Sequence, residues 1–222
     1  NADNAIDIAH AERCPLPYQS SMIDDCLGRG KSLQEGGAVY NFTGPQGFGI
    51  ANVADALFAI KKLVYDEKKV TMAELKKALM FNYGKEVNGL VIAQIAGKLA
   101  RELAQQGITP DAKTLAEASV QVIKASVTEA DKKRFDEILE LIDAVPKFGN
   151  DNDEVDLFAR EAAYTYTKPL LQYRNPRGGQ FHAGLYPVSA NVPLGAQTGA
   201  TPDGRLAGVP VADGVSPTAG KD

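Results

Sequence analysis

The sequence predicts a helix-rich globular fold, and three observations predict it. Apolar residues recur at helical spacing through most of residues 50 to 173. Start and stop signals punctuate that stretch, with Thr71 and Thr128 ahead of acidic residues and Gly107 and Pro146 behind apolar runs. The flanks are instead crowded with glycine and proline, and from about residue 175 onward the chain reads as loop. Five or six helices of packing therefore lie between two irregular stretches, and chemistry is expected on the irregular flanks.

In order along the chain, Ser20 to Gly30 reads as a short helix: Ser20 as cap, Met22, Ile23, Cys26 and Leu27 as an apolar stripe, Gly28 and Gly30 as its end. Gly36-Gly37-Ala38-Val39-Tyr40-Asn41-Phe42 is strand-like, and Thr43 to Gly49 is a loop. Ile50 to Tyr65 is a helix with Val53, Ala54, Leu57, Ile60, Leu63 and Val64 on one face and Asp55 and Lys61-Lys62 elsewhere on the wheel. Thr71 and Glu74 form a capping box that opens a helix running to about Asn82. Val87 to Gln106 is a third apolar segment, stopped by Gly107. Asp111 to Ser126 and Thr128 to Val145 are two further amphipathic helices, and Asp156 to Tyr173 is another whose last turn Pro169 kinks. No fixed-period repeat stands out.

The 222 residues carry 24 Lys+Arg and 28 Asp+Glu, a formal charge of −4. That length suits one large domain, two small ones, or a piece of something bigger. No run approaches 18 consecutive apolar residues, which excludes a membrane-spanning helix. Without a basic cluster, nucleic acid has no electrostatic footprint. Cys14 and Cys26 lack any CxxC pattern and read as reduced thiols, so the expected location is the cytoplasm. Asn1-Ala2 reads as the remnant of an expression tag, with no signal-peptide anatomy behind it. The stop at Gly220-Lys221-Asp222, inside loop-like sequence, favours a piece cut from a longer protein over a flexible tail.

Several motifs fail on inspection. Gly30-Lys31-Ser32 copies the tail of a phosphate-binding loop, but Asp25 stands where its first glycine should be and would repel the phosphates. Gly44, Gly47 and Gly49 lead into a helix N-terminus that can hold an anion; a tight turn needing positive φ is the favoured reading. The acidic run Asp151, Asp153, Glu154 and Asp156 lacks the glycine and distal glutamate of a calcium loop, and reads as first-turn charge for the helix that follows. His10 and His182 are the two histidines, and neither has a second ligand at metal spacing, so no metal site is expected. His182, beside Phe181, either lines a pocket or is structural. There is no Gly-x-Ser-x-Gly, and neither cysteine lies beside a histidine.

Four segments resemble a known family. They are Gly36-Gly37-Ala38-Val39-Tyr40-Asn41 with Gly44-Pro45-Gln46-Gly47-Phe48-Gly49; Pro146-Lys147-Phe148-Gly149-Asn150-Asp151 with Asp153-Glu154-Val155-Asp156; Gly178-Gly179 through Tyr186-Pro187-Val188-Ser189-Ala190-Asn191-Val192-Pro193-Leu194-Gly195; and Thr198-Gly199-Ala200-Thr201-Pro202-Asp203-Gly204-Arg205 continuing to Ser216-Pro217. In this order they resemble the glycyl radical enzymes of the pyruvate formate-lyase superfamily. The wording of the first is similar to the glycerol and diol dehydratases, the choline lyase and their relatives, more than to pyruvate formate-lyase proper.

The resemblance implies an α/β fold class, this chain being a helix-rich fragment of a ten-stranded α/β barrel. Residues 1–2 are then the tag remnant and 3–222 part of the barrel domain, with a helical insertion at about 84–134. In such enzymes a separate S-adenosylmethionine-dependent iron–sulfur activating enzyme makes a glycyl radical, which passes to a cysteine whose thiyl radical abstracts hydrogen from substrate. The loop bearing that cysteine and the motif bearing that glycine are absent from these residues, so the resemblance implies no catalytic residue in this chain, no bound cofactor, and an inactive fragment of an active enzyme.

The implied whole protein is a dehydratase, or a C–O, C–N or C–S lyase, of anaerobic metabolism that acts on a small polar substrate and forms a homodimer. The alternatives are a formate C-acetyltransferase, which would carry two adjacent cysteines in the absent loop, and a non-catalytic helical scaffold. Within the chain, Tyr186 to Pro193 is expected to form a barrel strand entering the pocket, with Tyr186, Ser189, Asn191 and Val192 facing substrate or else packing the wall. Thr201 to Arg205 is expected to be a turn clamped by Asp203 and Arg205. Barrel strands from 178 onward would lack neighbours in the isolated chain, so self-association is expected.

Overall fold

The computed structural model describes residues 2–86 and 89–221. Of the tag remnant expected at Asn1-Ala2, Asn1 lies outside the described residues, as do the segment start expected at Val87 and the terminal Asp222, whereas Ala2 is described. Among the described residues the helices are α1 (Ala2–Arg13), α2 (Pro17–Ser21), α3 (Cys26–Arg29), α4 (Ile50–Ala59), α5 (Met72–Met80), α6 (Gly89–Gln105), α7 (Ala112–Ser126), α8 (Glu129–Asp143), α9 (Asp153–Leu170) and α10 (Asn191–Ala196). The chain divides into two units, Asn1–Gly47 with Ala163–Tyr186, and Phe48–Ala162 with Pro187–Asp222, and the boundary at 162 falls within α9.

The first unit departs most from the sequence expectations. Its α1 was not expected, buries no side chain, and is tethered by Asn4 Nδ2 donating to the Arg174 carbonyl at 3.2 Å and by an Asp7–Arg177 ion pair at 3.3 Å. The helix expected from Ser20 to Gly30 is broken in two, because Asp25 takes a left-handed φ of 76° between α2 and α3. Ser20 is not its cap: the hydroxyl sits at the end of α2, donates to Leu16 O and accepts from Leu33 N–H. Of the expected apolar stripe Cys26 alone is buried, with Met22, Ile23 and Leu27 exposed.

The run 36–42 is not a strand either. Asn41 Nδ2 donates to the Ala38 carbonyl at 2.9 Å, a local bond that competes with a ladder. Pairing begins just beyond. Thr43 N–H donates to Gln180 O, His182 N–H to Thr43 O, Gly184 N–H to Pro45 O and Gly47 N–H to Gly184 O, all at 2.8–3.1 Å. These bonds make two parallel bridges, Thr43 with Phe181 and Gln46 with Gly184. Pro45 has no N–H to extend the ladder. Gly179 lets the two segments meet: a Cβ there would lie 1.8 Å from Asn41 O.

The second unit follows its caps. Thr71 Oγ1 accepts from Glu74 N–H at 3.2 Å while Glu74 Oε2 accepts from Thr71 N–H at 2.7 Å, closing the box at the start of α5. Thr128 and Asp131 repeat it for α8, and Asp111 caps α7. Phe58 and Leu63, Leu75 and Ala78, Val91 and Ile95, Ile123, and Phe135, Ile138 and Ile142 bring α4 to α8 into one core, which Tyr83 and Val155 complete.

Helix α4 does not end at Ala59 but continues through π-helical turns over Ile60–Asp66. Its buried face is also rotated from the expected one. Val53 and Leu57 are exposed, while Asn52, Ala54, Asp55 and Phe58 are buried. Helix α9 starts at Asp153, three residues early, with Asp153, Glu154 and Asp156 in its first turn and Pro169 in its last. The barrel strand expected over Tyr186 to Pro193 is absent: Tyr186 to Val188 are irregular and α10 begins at Asn191. Pro187 and Pro193 withhold ladder donors, and Pro193 sits in the first turn of α10, where a missing N–H is tolerated.

Candidate functional site

A cavity of about 400 Å³ opens in the second unit. Asn191 at the start of α10 forms one wall, and the turns at 203–206, 209–213 and 217–221 form the others. Its surface is mostly apolar, from Leu206, Val209, Pro210 and Pro217, with a few polar groups set among them.

The turn at its base is built as a clamp, as the sequence indicated. The Thr201 hydroxyl donates to Asp203, Thr201 N–H donates to Arg205 O at 3.0 Å, and Asp203 Oδ2 accepts from Asn52 Nδ2 at 2.6 Å. The Arg205 guanidinium donates to Leu206 O at 3.1 Å and Val209 O at 2.6 Å, and also to Thr198 O and Gly199 O. Arg205 Nε is buried and finds no acceptor. Burial lowers the Arg205 pKa, and Asp203 opposes that shift.

Beside the clamp, α4 presents two buried polar residues that the sequence reading missed. Asn52 donates to Asp203 and to the Thr218 hydroxyl, and its Oδ1 accepts from Ala212 N–H at 2.7 Å. Asp55, 1 % exposed, accepts from Phe148 N–H at 2.8 Å through Oδ1, while Oδ2 is buried without a hydrogen-bond donor at bonding distance. Its pKa is raised to about 6, first by burial and further by Asp203; the Phe148 amide, then Lys147 and then the Thr218 hydroxyl oppose the rise. Lys147 is buried as well, its ammonium donating to Ile142 O and Val145 O, and burial lowers its pKa. The signal for these positions was spacing: Asn52 and Asp55 fall three apart among Ala51, Ala54, Phe58 and Ala59, on one helical face.

A left-handed turn supports the same region from α5. Asn82 and Tyr83 have φ of 52° and 53°, rare for non-glycine residues. Asn82 Oδ1 accepts from Ala207 N–H at 2.8 Å and the Tyr83 hydroxyl donates to Thr201 O at 2.9 Å, so both ends of the 201–207 turn are fastened to it. Burial raises the Tyr83 pKa.

Of the four expected substrate-facing residues, Asn191 alone lines this cavity. Its Nδ2 donates to Val211 O at 3.0 Å and its carbonyl accepts from Val211 N–H at 3.3 Å. Ser189 and Val192 are exposed beside it and off the wall, the Ser189 carbonyl accepting from Val192 N–H. Tyr186 belongs to the first unit, where it is 59 % exposed and its carbonyl accepts from Gln46 Nε2.

That first unit has its own open groove of about 560 Å³ between Val39–Phe42 and Gly178–His182. His182 lines it, edge-on to Phe42 at 5.7 Å between ring centres. Of the glycines at 44, 47 and 49, Gly49 alone has a positive φ, 73°, and its N–H is taken by Ala212 O. The helix start behind it is a turn. Among the described residues no three His, Cys, Asp or Glu side chains converge as metal ligands, and no helix is long and apolar enough to cross a membrane.

Comparison with known proteins places this geometry. The chain is 35% identical over 209 residues to a probable dehydratase, YbiW, of Escherichia coli strain K12, an alignment that covers 91% of this chain and 20% of that protein. A structure described as 1,2-propanediol dehydration in Roseburia inulinivorans superposes with a TM-score of 0.91 at 61% identity, covering 100% of this chain and 26% of that one. The glycerol-bound form of the B12-independent glycerol dehydratase from Clostridium butyricum superposes with a TM-score of 0.70 at 48% identity, covering 100% of this chain and 22% of that one. The chain thus spans about a fifth of the length of the curated relatives it matches. The family model described as pyruvate formate lyase-like matches residues 1–195, and the chain belongs to that family.

Proposed function

We propose that this chain is a segment of a glycyl radical dehydratase that converts a small vicinal diol to an aldehyde and water. The observation that carries the reading is the 61% identity, over the whole chain, to the structure described as 1,2-propanediol dehydration. Residues 3–222 then belong to its α/β barrel domain, with 84–134 as a helical addition. The paired segments 43–47 and 180–184 support a barrel origin, because their bonding is that of neighbouring parallel strands.

In the whole protein the radical resides on a glycine outside this chain, is installed by a radical S-adenosylmethionine activating enzyme, and supplies hydrogen-atom abstraction. This chain's own part is to shape and dry the pocket. Asn191 and the clamped turn at 201–205 fix one wall, and Leu206, Val209, Pro210 and Pro217 give the rest of the lining its apolar character. Tyr186, Ser189, Asn191 and Val192 are the proposed substrate-side residues, with Asn191 best supported by its place on the cavity wall. The whole enzyme is proposed to act as a homodimer.

The test is electron paramagnetic resonance of the full-length protein after anaerobic treatment with S-adenosylmethionine and its activating enzyme. A doublet from a glycine-centred radical is expected. A silent spectrum, from an activating enzyme that works on another target, would overturn the reading.

A further inference from the structure

Asn191 and three turns wall the cavity of about 400 Å³, and one side chain that does not line it reaches all three turns. Asn52, in the first turn of α4 and 4 % exposed, donates through Nδ2 to Asp203 Oδ2 at 2.6 Å, in the 203–206 turn. The same Nδ2 donates to the Thr218 hydroxyl at 3.3 Å, in the 217–221 turn. Its Oδ1 accepts from Ala212 N–H at 2.7 Å, in the 209–213 turn. Gly49 N–H, just ahead of α4, donates to Ala212 O at 2.8 Å, so both backbone groups of Ala212 are held from the start of one helix. The remaining wall joins the same segment, because Asn191 exchanges two hydrogen bonds with the neighbouring Val211.

These partners prescribe the amide. A backbone N–H needs an acceptor, a carboxylate needs a donor, and one short planar side chain must present both. Turned over, the amide would set its NH2 against the Ala212 N–H and its oxygen against the Asp203 carboxylate. Asn52 therefore has one orientation, and its bond to Asp203 is charge-assisted. A buried amide on a largely apolar helix face is costly unless its bonds are made, and here they reach segments 151 to 166 positions away in the chain. Asp203 passes the hold on to the clamp, its Oδ1 accepting from the Thr201 hydroxyl and from Arg205 N–H.

We propose that Asn52 is a positioning residue of the dehydration site: from behind the cavity it sets the three turns in register with one another and with Asn191, and through them it places the substrate. The placing of substrate rests on the function proposed above, and the register of the turns does not.

The test is a reciprocal exchange in the full-length protein. N52D sets a carboxylate against Asp203 and removes the hydrogen bond between them. Adding D203N restores a donor and an acceptor with their places exchanged, and the carboxylate at 52 still accepts from Ala212 N–H and from the Thr218 hydroxyl. Hydrogen exchange resolved to single amides follows Ala212 and the 217–221 turn, and kinetics with 1,2-propanediol follow turnover at matched radical yield. N52D is expected to lower Ala212 protection and kcat/KM about 10–100-fold each. N52D/D203N is expected to recover about tenfold of both losses, with the amides of α5 to α8 unchanged throughout. A role in packing alone makes the second substitution additive, so a double variant no better than N52D overturns the proposal. Protection that follows the exchange while kcat/KM ignores it overturns the positioning role. An enzyme that carries the radical but leaves the diol unconsumed fails the dehydratase reading instead, and the exchange data then judge the register by themselves. Should N52D not fold, a folded N52D/D203N supports the proposal. Should neither fold, wild type decides: Ala212 N–H is expected to be protected more than about 100-fold, and exchange at its intrinsic rate overturns the proposal.

Discussion

Asp55 concentrates the electrostatics of the second unit in one side chain. A folded pKa raised from 3.8 to about 6 means that its stabilising protonated form is fully present below about pH 4 and is lost as the pH rises through about 6. Replacing the charge by an isosteric amide removes that loss. D55N is expected to be more stable than wild type at about pH 7.5 by about 1–2 kcal/mol, with the gap closing by about pH 4, in urea titrations at each pH. Parallel curves for the two proteins would contradict the burial of a charge there. Gly149, with φ of 97° and Pro217 against its α-carbon, makes the second residue-scale prediction. G149A is expected to lower stability by more than about 1 kcal/mol in the same assay, because neither the backbone angle nor the space admits a methyl. Asp55 was hard to read from sequence because a helical wheel ranks positions by hydropathy, and a carboxylate is placed outside by default. Its burial depends on the Phe148 amide, 93 positions away in the chain, which no local pattern reports.

The helices differ in how far local signals fix them. In α5, α7 and α8 the caps are intrinsic, and sequence boundaries and observed ones agree to within a few residues. T71A is expected to cost about 1 kcal/mol, read from chemical denaturation, since it leaves the Glu74 amide without its acceptor. Glu74 itself has a pKa lowered to about 2, by the Thr71 hydroxyl and amide first and by Arg134 after them. Its contribution is present above its ordinary pKa and lost as the pH falls towards 2, and partial exposure holds it below about 1 kcal/mol. Within the core, I138A, at a position with no exposed surface, is expected to cost about 2–5 kcal/mol. The first unit was less legible because its ties are long-range. α1 depends on Arg174 and Arg177, and the break at Asp25 answers to no apolar period. The π-helical continuation of α4 likewise leaves the apolar pattern unchanged while shifting which residues share a face.

For the whole molecule, the family was legible and the site was only partly so. Four motif segments identified the family, three of them rich in glycine, proline and small residues and the one at 146–156 rich in acidic residues, because their order along the chain is distinctive. The same residues guided orientation less well: a barrel strand was expected to carry Tyr186, Ser189, Asn191 and Val192 into the pocket, whereas a helix starts at Asn191 and Asn191 alone of the four lies on the cavity wall. Asn191 also fastens Val211 across that wall. In the activated full-length enzyme N191A is accordingly expected to lower kcat/KM about 10–100-fold while the radical yield stays at its wild-type level. An unchanged kcat/KM would remove this cavity from the site. The most direct measurement is proton NMR of 1,2-propanediol incubated anaerobically with the activated full-length protein. Propanal is expected to accumulate over many turnovers and to fail to form without activation. A radical-loaded enzyme that leaves the diol unconsumed would contradict it.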